Sequence, residues 1–197
     1  MPKVSDEYRE TKRREIAEAA LRAFERKGFK STSMADIITE SGVSAGAIYG
    51  SFRSKAEIVQ AVASSVVGER LLDGEKLLAV EPVPAPVELI RLMMNGVLTS
   101  LKNPTVLLQM WGEAVTDPDL RVVTQEIMIR IEGLYQRHLA RWYEQIQGLP
   151  SAEAEAKATQ LAPLFVSLSQ GFIVQSALRD DFDGEQYLAV AAELLPH

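Results

Sequence analysis

The feature that most constrains the fold is a hinge between two short helical segments in SMADIITESGVSAGAIYGSFRSKAE, residues 33–57. Ser33 and Asp36 have the spacing of a capping box, which begins a helix, and Gly42 ends that helix. Ser44 follows directly and is a typical N-cap for a second short helix. Two short helices joined by a glycine-containing turn form a helix-turn-helix, so this stretch predicts that motif near the start of the chain.

The rest of the chain also carries helix signals. Apolar residues recur at the helical period, and Pro or Gly interrupts them at EPVPAPVE (81–88), Asn103-Pro104, Asp117-Pro118 and GLP (148–150). No segment alternates apolar and polar residues in the manner of a strand. We therefore predict an all-α chain of about nine helices. The longest predicted helices cover residues about 11–27, 54–79, 86–102, 118–147 and 151–179, and the last helix ends near residue 195.

Charge is distributed unevenly along the chain. Residues 1–60 contain 11 Lys+Arg and 9 Asp+Glu, whereas residues 61–197 contain 10 and 18, so the front is slightly basic and the remainder is acidic. A basic front favours contact with nucleic-acid phosphates, although the net charge of −6 does not. For the cluster Lys12, Arg13 and Arg14, phosphate contact and a solvated helix face are equal alternatives.

Composition excludes several other classes of protein. The chain has no cysteine, which excludes a disulfide framework and a thiolate metal site. No apolar run approaches the length of a membrane-spanning helix, and the first residues lack the apolar stretch of a signal peptide. We therefore expect a cytoplasmic protein without a membrane partner.

The second short helix, SAGAIYGSF, has two faces of different chemistry. Ile48 and Phe52 are four residues apart and would anchor it to the helices before it. The opposite face has no charged residue, and its side chains are small except for the ring of Tyr49. It can therefore lie close to a DNA duplex in the major groove. A helical hairpin within an ordinary bundle is the alternative that this pattern alone leaves open.

Residues 12–58 resemble the N-terminal domain of the TetR family of bacterial transcriptional regulators. The resemblance lies in a helix that ends in KGF, in ST before the second helix, and in ADI, SGVS, IY, F and SK-E. It implies a three-helix DNA-binding domain over residues 1–54 and a helical ligand-binding and dimerisation domain over residues 55–197. The DNA-contacting positions that it implies are Thr32, Ser33, Ser44, Ala45, Gly46, Ala47, Tyr49, Gly50, Ser51 and Lys55. Because Gly50 has no side chain, we expect recognition to depend on backbone approach, Tyr49 and DNA shape.

The second part of the chain has many apolar residues at helical spacings. For any one of them core packing is the commoner role, but several Met and aromatic residues together suit an adaptable site for a small hydrophobic effector. The candidates for that site are Met94, Leu98, Met110, Trp111, Met128, Ile131, Tyr135, Phe165 and Phe172. The last two helices, residues about 155–195, carry more apolar surface than the bundle needs to cover, and they are the expected homodimer interface.

No catalytic or metal-binding constellation is found in the sequence, and no cofactor is expected. The nucleophile elbow, the zinc-protease motif and the P-loop are absent, and the aspartates near residue 181 lack the ligand spacing of a calcium loop. Together with the resemblance to the TetR family, this implies a ligand-responsive homodimeric regulator, a repressor that a small hydrophobic effector releases from a double-stranded DNA operator. A helical carrier or enzyme without DNA binding, and a DNA-organising protein without an effector, are the alternatives.

Overall fold

Helices account for all the regular secondary structure in the computed structural model, which describes residues 6–196 and the side chains of residues 8–196. In chain order they are α1 (Asp6–Lys27), α2 (Met34–Ser41), α3 (Ala45–Ser51), α4 (Lys55–Leu78), α5 (Pro86–Ser100), α6 (Thr105–Ala114), α7 (Pro118–Gln145), α8 (Ser151–Leu178) and α9 (Gly184–Leu194). No strand occurs within the described range. The prediction of an all-α chain with about nine helices is therefore confirmed.

The starts of α2 and α3 follow the capping signals in the sequence. The Ser33 hydroxyl accepts from the N–H of Asp36 at 3.2 Å, and the Asp36 carboxylate accepts from the N–H of Ser33 at 2.8 Å, which completes the capping box. The Ser44 hydroxyl accepts from the N–H of Ala47 at 3.3 Å. Both short helices therefore begin where a local side chain satisfies the free N–H groups of a first turn.

Ser54 and Glu57 have the spacing of a capping box at the start of α4, but the box forms only in part. The Ser54 hydroxyl accepts from the N–H of Glu57 at 3.2 Å. The Glu57 carboxylate reaches instead to the N–H of Arg53, one residue before the cap, at 2.8 Å. Because Arg53 lies between α3 and α4, this bond ties the connecting turn to the first residues of α4.

The described residues form two compact units. The first contains the chain up to Val67 together with Val106–Gln125, and the second contains Gly68–Thr105 together with the residues from Glu126 onward. The first unit thus includes most of α6, which lies far along the chain from the helix-turn-helix. The division of the chain after residue 54 stays a prediction.

In the first unit, α1, α2 and α3 pack against one another. The core includes Ile16 and Phe24 of α1, Ile37 of α2 and Ile48 of α3, all of which are buried. Burying a side chain of this size contributes roughly 1.5–3 kcal/mol. This packing holds α2 and α3 in place, because helices of eight and seven residues are too short to be stable in isolation.

In the second unit, α5 packs against α8 and α9, and α8 packs against α9. The ring of Phe172 on α8 lies 5.1 Å from that of Phe182 and 5.6 Å from that of Tyr187, both at edge-to-face angles. The Tyr187 hydroxyl donates to the Leu168 carbonyl at 2.8 Å. These contacts fix α9 against α8 through buried aromatic area and one hydrogen bond.

Helix α8 is long and strongly apolar. By length and composition alone it could cross a membrane, so the expectation that no segment approaches that length is wrong for α8. One face of the helix belongs to the core, where Ala158, Ala162, Phe165 and Phe172 are buried. Leu164 and Leu178 of α8 are 47% and 71% exposed, so part of its apolar surface is uncovered within one chain.

His138 of α7 is a buried histidine that the fold holds in its neutral form. Its ring nitrogen Nε2 lies 3.1 Å from the Pro84 carbonyl, which requires an N–H there, and Nδ1 has no hydrogen-bond partner. Burial lowers the pKa of His138 below its ordinary value of 6.5. A proton on Nδ1 would place an unsatisfied N–H in the core, which gives the same direction of shift.

This burial predicts a loss of stability in mildly acidic solution. Because the folded pKa is depressed, the unfolded chain binds the proton first, so stability is fully present above about pH 6.5 and falls as the pH drops toward the folded pKa. Urea unfolding at pH 7.5 and pH 5.5 measures the difference, and His138→Gln is expected to remove it. If the His138→Gln variant lost as much stability between pH 7.5 and pH 5.5 as the wild-type protein, the loss would not come from His138.

Asp36 contributes in a separate pH range. The Lys27 ammonium lowers its pKa, so its contribution to stability is lost only below its ordinary pKa of 3.8.

Candidate nucleic-acid interface

Helix α3 is anchored on one side only. Ile48 and the C-cap residue Phe52 are fully buried, as predicted. Ala45, Gly46 and Ala47 are exposed. The helix therefore lies on the surface of the first unit with its polar and small residues outward, which is the arrangement that a DNA-reading helix needs.

The outward face of α3 is smooth apart from one ring. Tyr49 is 55% exposed and rises above the small residues on either side of it. A Cβ at Gly46 or Gly50 would find no atom within 4 Å, so packing inside the protein does not require glycine at either position. Glycine inside a helix costs about 0.5–1 kcal/mol relative to alanine. Packing within the protein therefore does not explain the two glycines, whose effect is to keep the exposed face of α3 smooth.

Two residues predicted to contact DNA are turned inward. Thr32 is buried, and its hydroxyl lies 2.8 Å from the Gly28 carbonyl and 3.2 Å from the Ala23 carbonyl. The Lys55 ammonium donates to the Phe29 carbonyl at 2.5 Å and lies 4.2 Å from the centre of the Phe29 ring. Burial lowers the pKa of Lys55. Each polar group is bound to a backbone carbonyl of α1 or of the turn that follows it, and a contact of either residue with DNA stays a prediction.

The serines predicted to contact DNA have mixed positions. Ser33 and Ser44 are exposed, and both act as N-caps. Ser51 is half-buried, and its hydroxyl donates to the Ala47 carbonyl at 3.0 Å. The residues that the structure brings together on one open face are therefore Ser44, Ala45, Gly46, Ala47, Tyr49 and Gly50.

Ion pairs neutralise the acidic residues of α2. The Lys27 ammonium lies 2.5 Å from the Asp36 carboxylate and holds the pKa of that carboxyl well below its usual range. Glu40 pairs with Arg22 at 3.2 Å and with Arg26 at 2.6 Å, and these guanidinium groups lower its pKa. The two carboxylates of α2 therefore add little repulsion toward a phosphate backbone.

Two long-range contacts, which no sequence pattern predicts, hold this unit together. The Gln109 amide oxygen on α6 accepts from the N–H of Phe29 at 2.6 Å, and Glu113 lies 3.4 Å from the Lys30 ammonium. Gln109 and Glu113 therefore bind the connection between α1 and α2. A separation of 80 residues leaves no local pattern that could predict the first contact.

The predicted effector-binding residues are divided between the two units. Met110 and Trp111 of α6 belong to the first unit, and both are half-buried. The other seven belong to the second unit, where the buried ones are Met94, Tyr135, Phe165 and Phe172, the half-buried ones are Met128 and Ile131, and the exposed one is Leu98. Leu98 lies beside the buried stripe of α5, which runs through Val97, and its contact with an effector stays a prediction.

Tyr135 and Ser169 form a buried polar pair between α7 and α8. Their hydroxyl oxygens are 2.6 Å apart, and the Ser169 hydroxyl donates to the Phe165 carbonyl at 2.9 Å, so Tyr135 is the donor to Ser169. The Tyr135 ring lies 5.5 Å from that of Phe165. Burial raises the pKa of Tyr135 and keeps it neutral. The pair is satisfied within the chain, and a contact of Tyr135 with an effector stays a prediction.

Large apolar side chains are exposed along the last two helices. Leu164 and Leu178 of α8, and Val190 and Leu194 of α9, are about half exposed or more, and Leu194 is 81% exposed. They fall within residues about 155–195, the region predicted as the homodimer interface. Grouped exposed apolar residues are typical of a surface that binds another protein.

The fold and this face of α3 define a helix-turn-helix DNA-binding protein. A family model described as "Bacterial regulatory proteins, tetR family" matches residues 11–62, and one described as "BetI-type transcriptional repressor, C-terminal" matches residues 87–197. The second match covers more than half of the chain. The chain belongs to the TetR family of bacterial transcriptional regulators, as the resemblance in its sequence implied.

Individual relatives agree with this family. Over 70 residues the chain is 40% identical to the regulator YfiR of Bacillus subtilis, covering 36% of this chain and 34% of YfiR. Over 64 residues it is 47% identical to the regulator TtgR of Pseudomonas putida, covering 32% of this chain and 30% of TtgR. The chain therefore spans about a third of the length of these relatives in the alignments. A TetR-family regulator from Syntrophomonas wolfei has the same fold, with a TM-score of 0.74 at 17% identity over 93% of both chains.

Proposed function

We propose that the protein is a homodimeric repressor that binds a double-stranded DNA operator through α3 and is released by a small hydrophobic effector. It acts in the cytoplasm, on bacterial DNA. The observation that carries this proposal is the exposed, side-chain-poor face of α3, which Ile48 and Phe52 support from below and which presents only Tyr49 as a large side chain.

The shape of α3 suits the major groove. Its small residues let the backbone approach base edges, and Tyr49 can reach a phosphate or a thymine methyl group. A symmetric pair of such helices would enter successive major grooves of a near-palindromic operator, about 34–36 Å apart. With few side chains that discriminate bases directly, sequence-dependent DNA shape contributes to recognition.

The uncovered apolar surface of α8 and α9 supports dimerisation. One face of α8 is buried in its own unit, whereas Leu164 and Leu178 are exposed on it. Val190 and Leu194 continue the exposed apolar surface on α9. Pairing these helices with those of a second copy would remove the surface from water and gives a four-helix interface.

Effector response is proposed to act through the spacing of the two α3 helices. The effector needs only to bind more tightly to a dimer conformation in which the distance between the two α3 helices does not match the operator than to the conformation that binds DNA. A coupling of about 1–3 kcal/mol weakens operator binding roughly 5–150-fold, and DNA weakens effector binding by the same factor. The half-buried Met128 of α7 is an adaptable apolar side chain that favours a hydrophobic ligand, and the half-buried Ile131 of the same helix adds apolar surface.

The proposal is tested by gel-shift titration against DNA flanking the protein's own gene at two salt concentrations. We expect sequence-dependent binding with Kd of about 10⁻⁸–10⁻¹¹ M that weakens as salt rises. A thermal-shift screen of hydrophobic compounds then identifies effectors, and a hit must release the DNA. Sequence-dependent binding that no stabilising compound weakens would indicate a DNA-organising protein, and stabilising ligands without any DNA binding would indicate a carrier.

Gly50→Ala is expected to separate stability from DNA binding. The added methyl group meets open space in the free protein, so helix propensity raises the free energy of unfolding by about 0.5–1 kcal/mol. In the complex the same methyl group overpacks a close backbone contact, which costs about 1–3 kcal/mol of operator affinity. Urea unfolding and gel-shift titration measure the two effects.

Gly112→Ala is the matched control, because Gly112 is also helical, exposed and open, but lies on α6. It is expected to gain the same stability with unchanged operator affinity. Equal operator affinity for the Gly50→Ala variant and the wild-type protein would contradict close approach of the α3 backbone to DNA.

A further inference from the structure

Arg13 of α1 lies against the end of α3. Its guanidinium carbon is 4.2 Å from the centre of the Phe52 ring, and its Nη1 donates a hydrogen bond to the Ser51 carbonyl. Ser51 is the last residue of α3 and Phe52 is its C-cap. One side chain therefore contacts both residues at the C-terminal end of the proposed recognition helix, although it comes from 38 residues earlier in the chain.

The C-terminus of α3 needs a partner of this kind. The last carbonyl groups of a helix have no intrahelical donor, and they carry the negative end of the helix dipole. α3 has no basic residue in its own last turn. The Arg13 guanidinium supplies both the missing donor and the missing positive charge, and it covers the ring of Phe52, which is fully buried.

The orientation of α3 depends on few contacts. The helix has seven residues, and Ile48 is its only buried residue within that span. The Ser44 cap holds its first turn, Ile48 holds its middle, and Arg13 with Phe52 holds its last turn. A shift at the last turn would move Tyr49 and Gly50, which lie within two residues of Ser51.

The neighbouring Arg14 has a different environment. Arg14 is exposed, whereas Arg13 is half-buried. Arg13 lies three and four residues before Ile16 and Ala17, so it shares the buried face of α1, and Arg14 does not. The two adjacent arginines therefore present their charges to different partners.

We propose that Arg13 is a positioning residue for DNA recognition, which sets the angle of α3 through Ser51 and Phe52 and makes no phosphate contact. Arg14 is the cation of this pair that is available to a phosphate. This inference rests on the proposed function, since it concerns how α3 is presented to the operator. It predicts that removing Arg13 reduces the discrimination between operator and random DNA, whereas removing Arg14 weakens binding to both.

The test compares wild-type protein, Arg13→Met and Arg14→Met. Each is titrated against a duplex that the wild-type protein selects from a random pool and against a random duplex of equal length, over a salt series. Arg13→Met keeps an apolar cover on Phe52 but loses the charge and the donor. We expect it to lower affinity for the selected duplex by about tenfold, the loss of one charge-assisted hydrogen bond, with unchanged affinity and salt slope on the random duplex. Arg14→Met is expected to weaken binding to both duplexes and to make the salt slope shallower by about one unit.

Two results would overturn the inference. If Arg13→Met lowered the affinity for both duplexes and made the salt slope shallower, Arg13 would be a phosphate contact. If the variant bound both duplexes as the wild-type protein does, α3 would be positioned without Arg13. Arg13→Lys serves if the Met variant does not fold, because it keeps the charge. The expected result for Arg13→Lys is a smaller loss of affinity for the selected duplex and unchanged affinity for the random duplex, and an equal loss of affinity for both duplexes would contradict positioning. Failure of the wild-type protein to select any duplex would instead contradict the proposed function.

Discussion

Replacing Tyr49 with alanine is expected to weaken operator binding by about 1–3 kcal/mol, or roughly 5–150-fold in Kd, without unfolding the protein. Tyr49 is 55% exposed, so little of its ring contributes to the core of the first unit. It is also the only large side chain on the outward face of α3, so no neighbour replaces its contact. Gel-shift titration gives the change in affinity, and thermal unfolding checks the fold.

Tyr49→Phe is the matched variant for this experiment. It keeps the ring and removes only the hydroxyl group, so it separates a hydrogen bond to phosphate from an apolar contact with a thymine methyl group. Wild-type affinity in the Phe variant indicates the apolar contact, and a loss close to that of the Ala variant indicates the hydrogen bond. Unchanged affinity in the Ala variant would show that α3 is not the helix that reads the operator.

Replacing Leu194 with aspartate is expected to dissociate the proposed dimer. The residue is 81% exposed in one chain, so the substitution leaves the monomer folded, but in the dimer it would bury an unpaired carboxylate. We expect dimer affinity to fall more than about a hundredfold. Sedimentation velocity measures the mass, and operator binding is expected to fall with it because a monomer occupies only one half-site.

Leu72→Asp is the control for the dimer experiment. Leu72 is a similarly exposed leucine, at 63%, but lies on α4 and outside the proposed interface. It is expected to remain a dimer with wild-type operator affinity. A dimeric Leu194→Asp variant, or a monomeric Leu72→Asp variant, would place the interface elsewhere on the molecule.

Local features of the structure could be predicted from the sequence. The caps at Ser33 and Ser44 satisfy backbone groups three residues away, and the inward positions of Ile37 and Ile48 follow from the helical period. Each of these depends on interactions within one or two helical turns. The outward face of α3 follows in turn, since it is what remains after the buried positions are removed.

Long-range contacts could not be predicted in this way. The sequence predicts that Lys55 is an exposed cation, yet its ammonium donates to the carbonyl of Phe29, which lies 26 residues before it. Arg13 belongs to a cluster of three basic residues, and only its spacing from Ile16 gave a sign that it faces inward. Leu98 fits an apolar stripe by its period, but the packing of α5 leaves it exposed.

By itself, the sequence determined that the chain forms helices, where α2 and α3 begin, and which face of α3 carries the small residues. It could do so because caps and periodicity act between residues that are neighbours along the chain. Only the tertiary structure decided which cations remain on the surface and that α6 joins the unit of the helix-turn-helix. Those outcomes depend on which backbone acceptors and aromatic faces packing brings within reach of each charge, and residues far apart in sequence supply them.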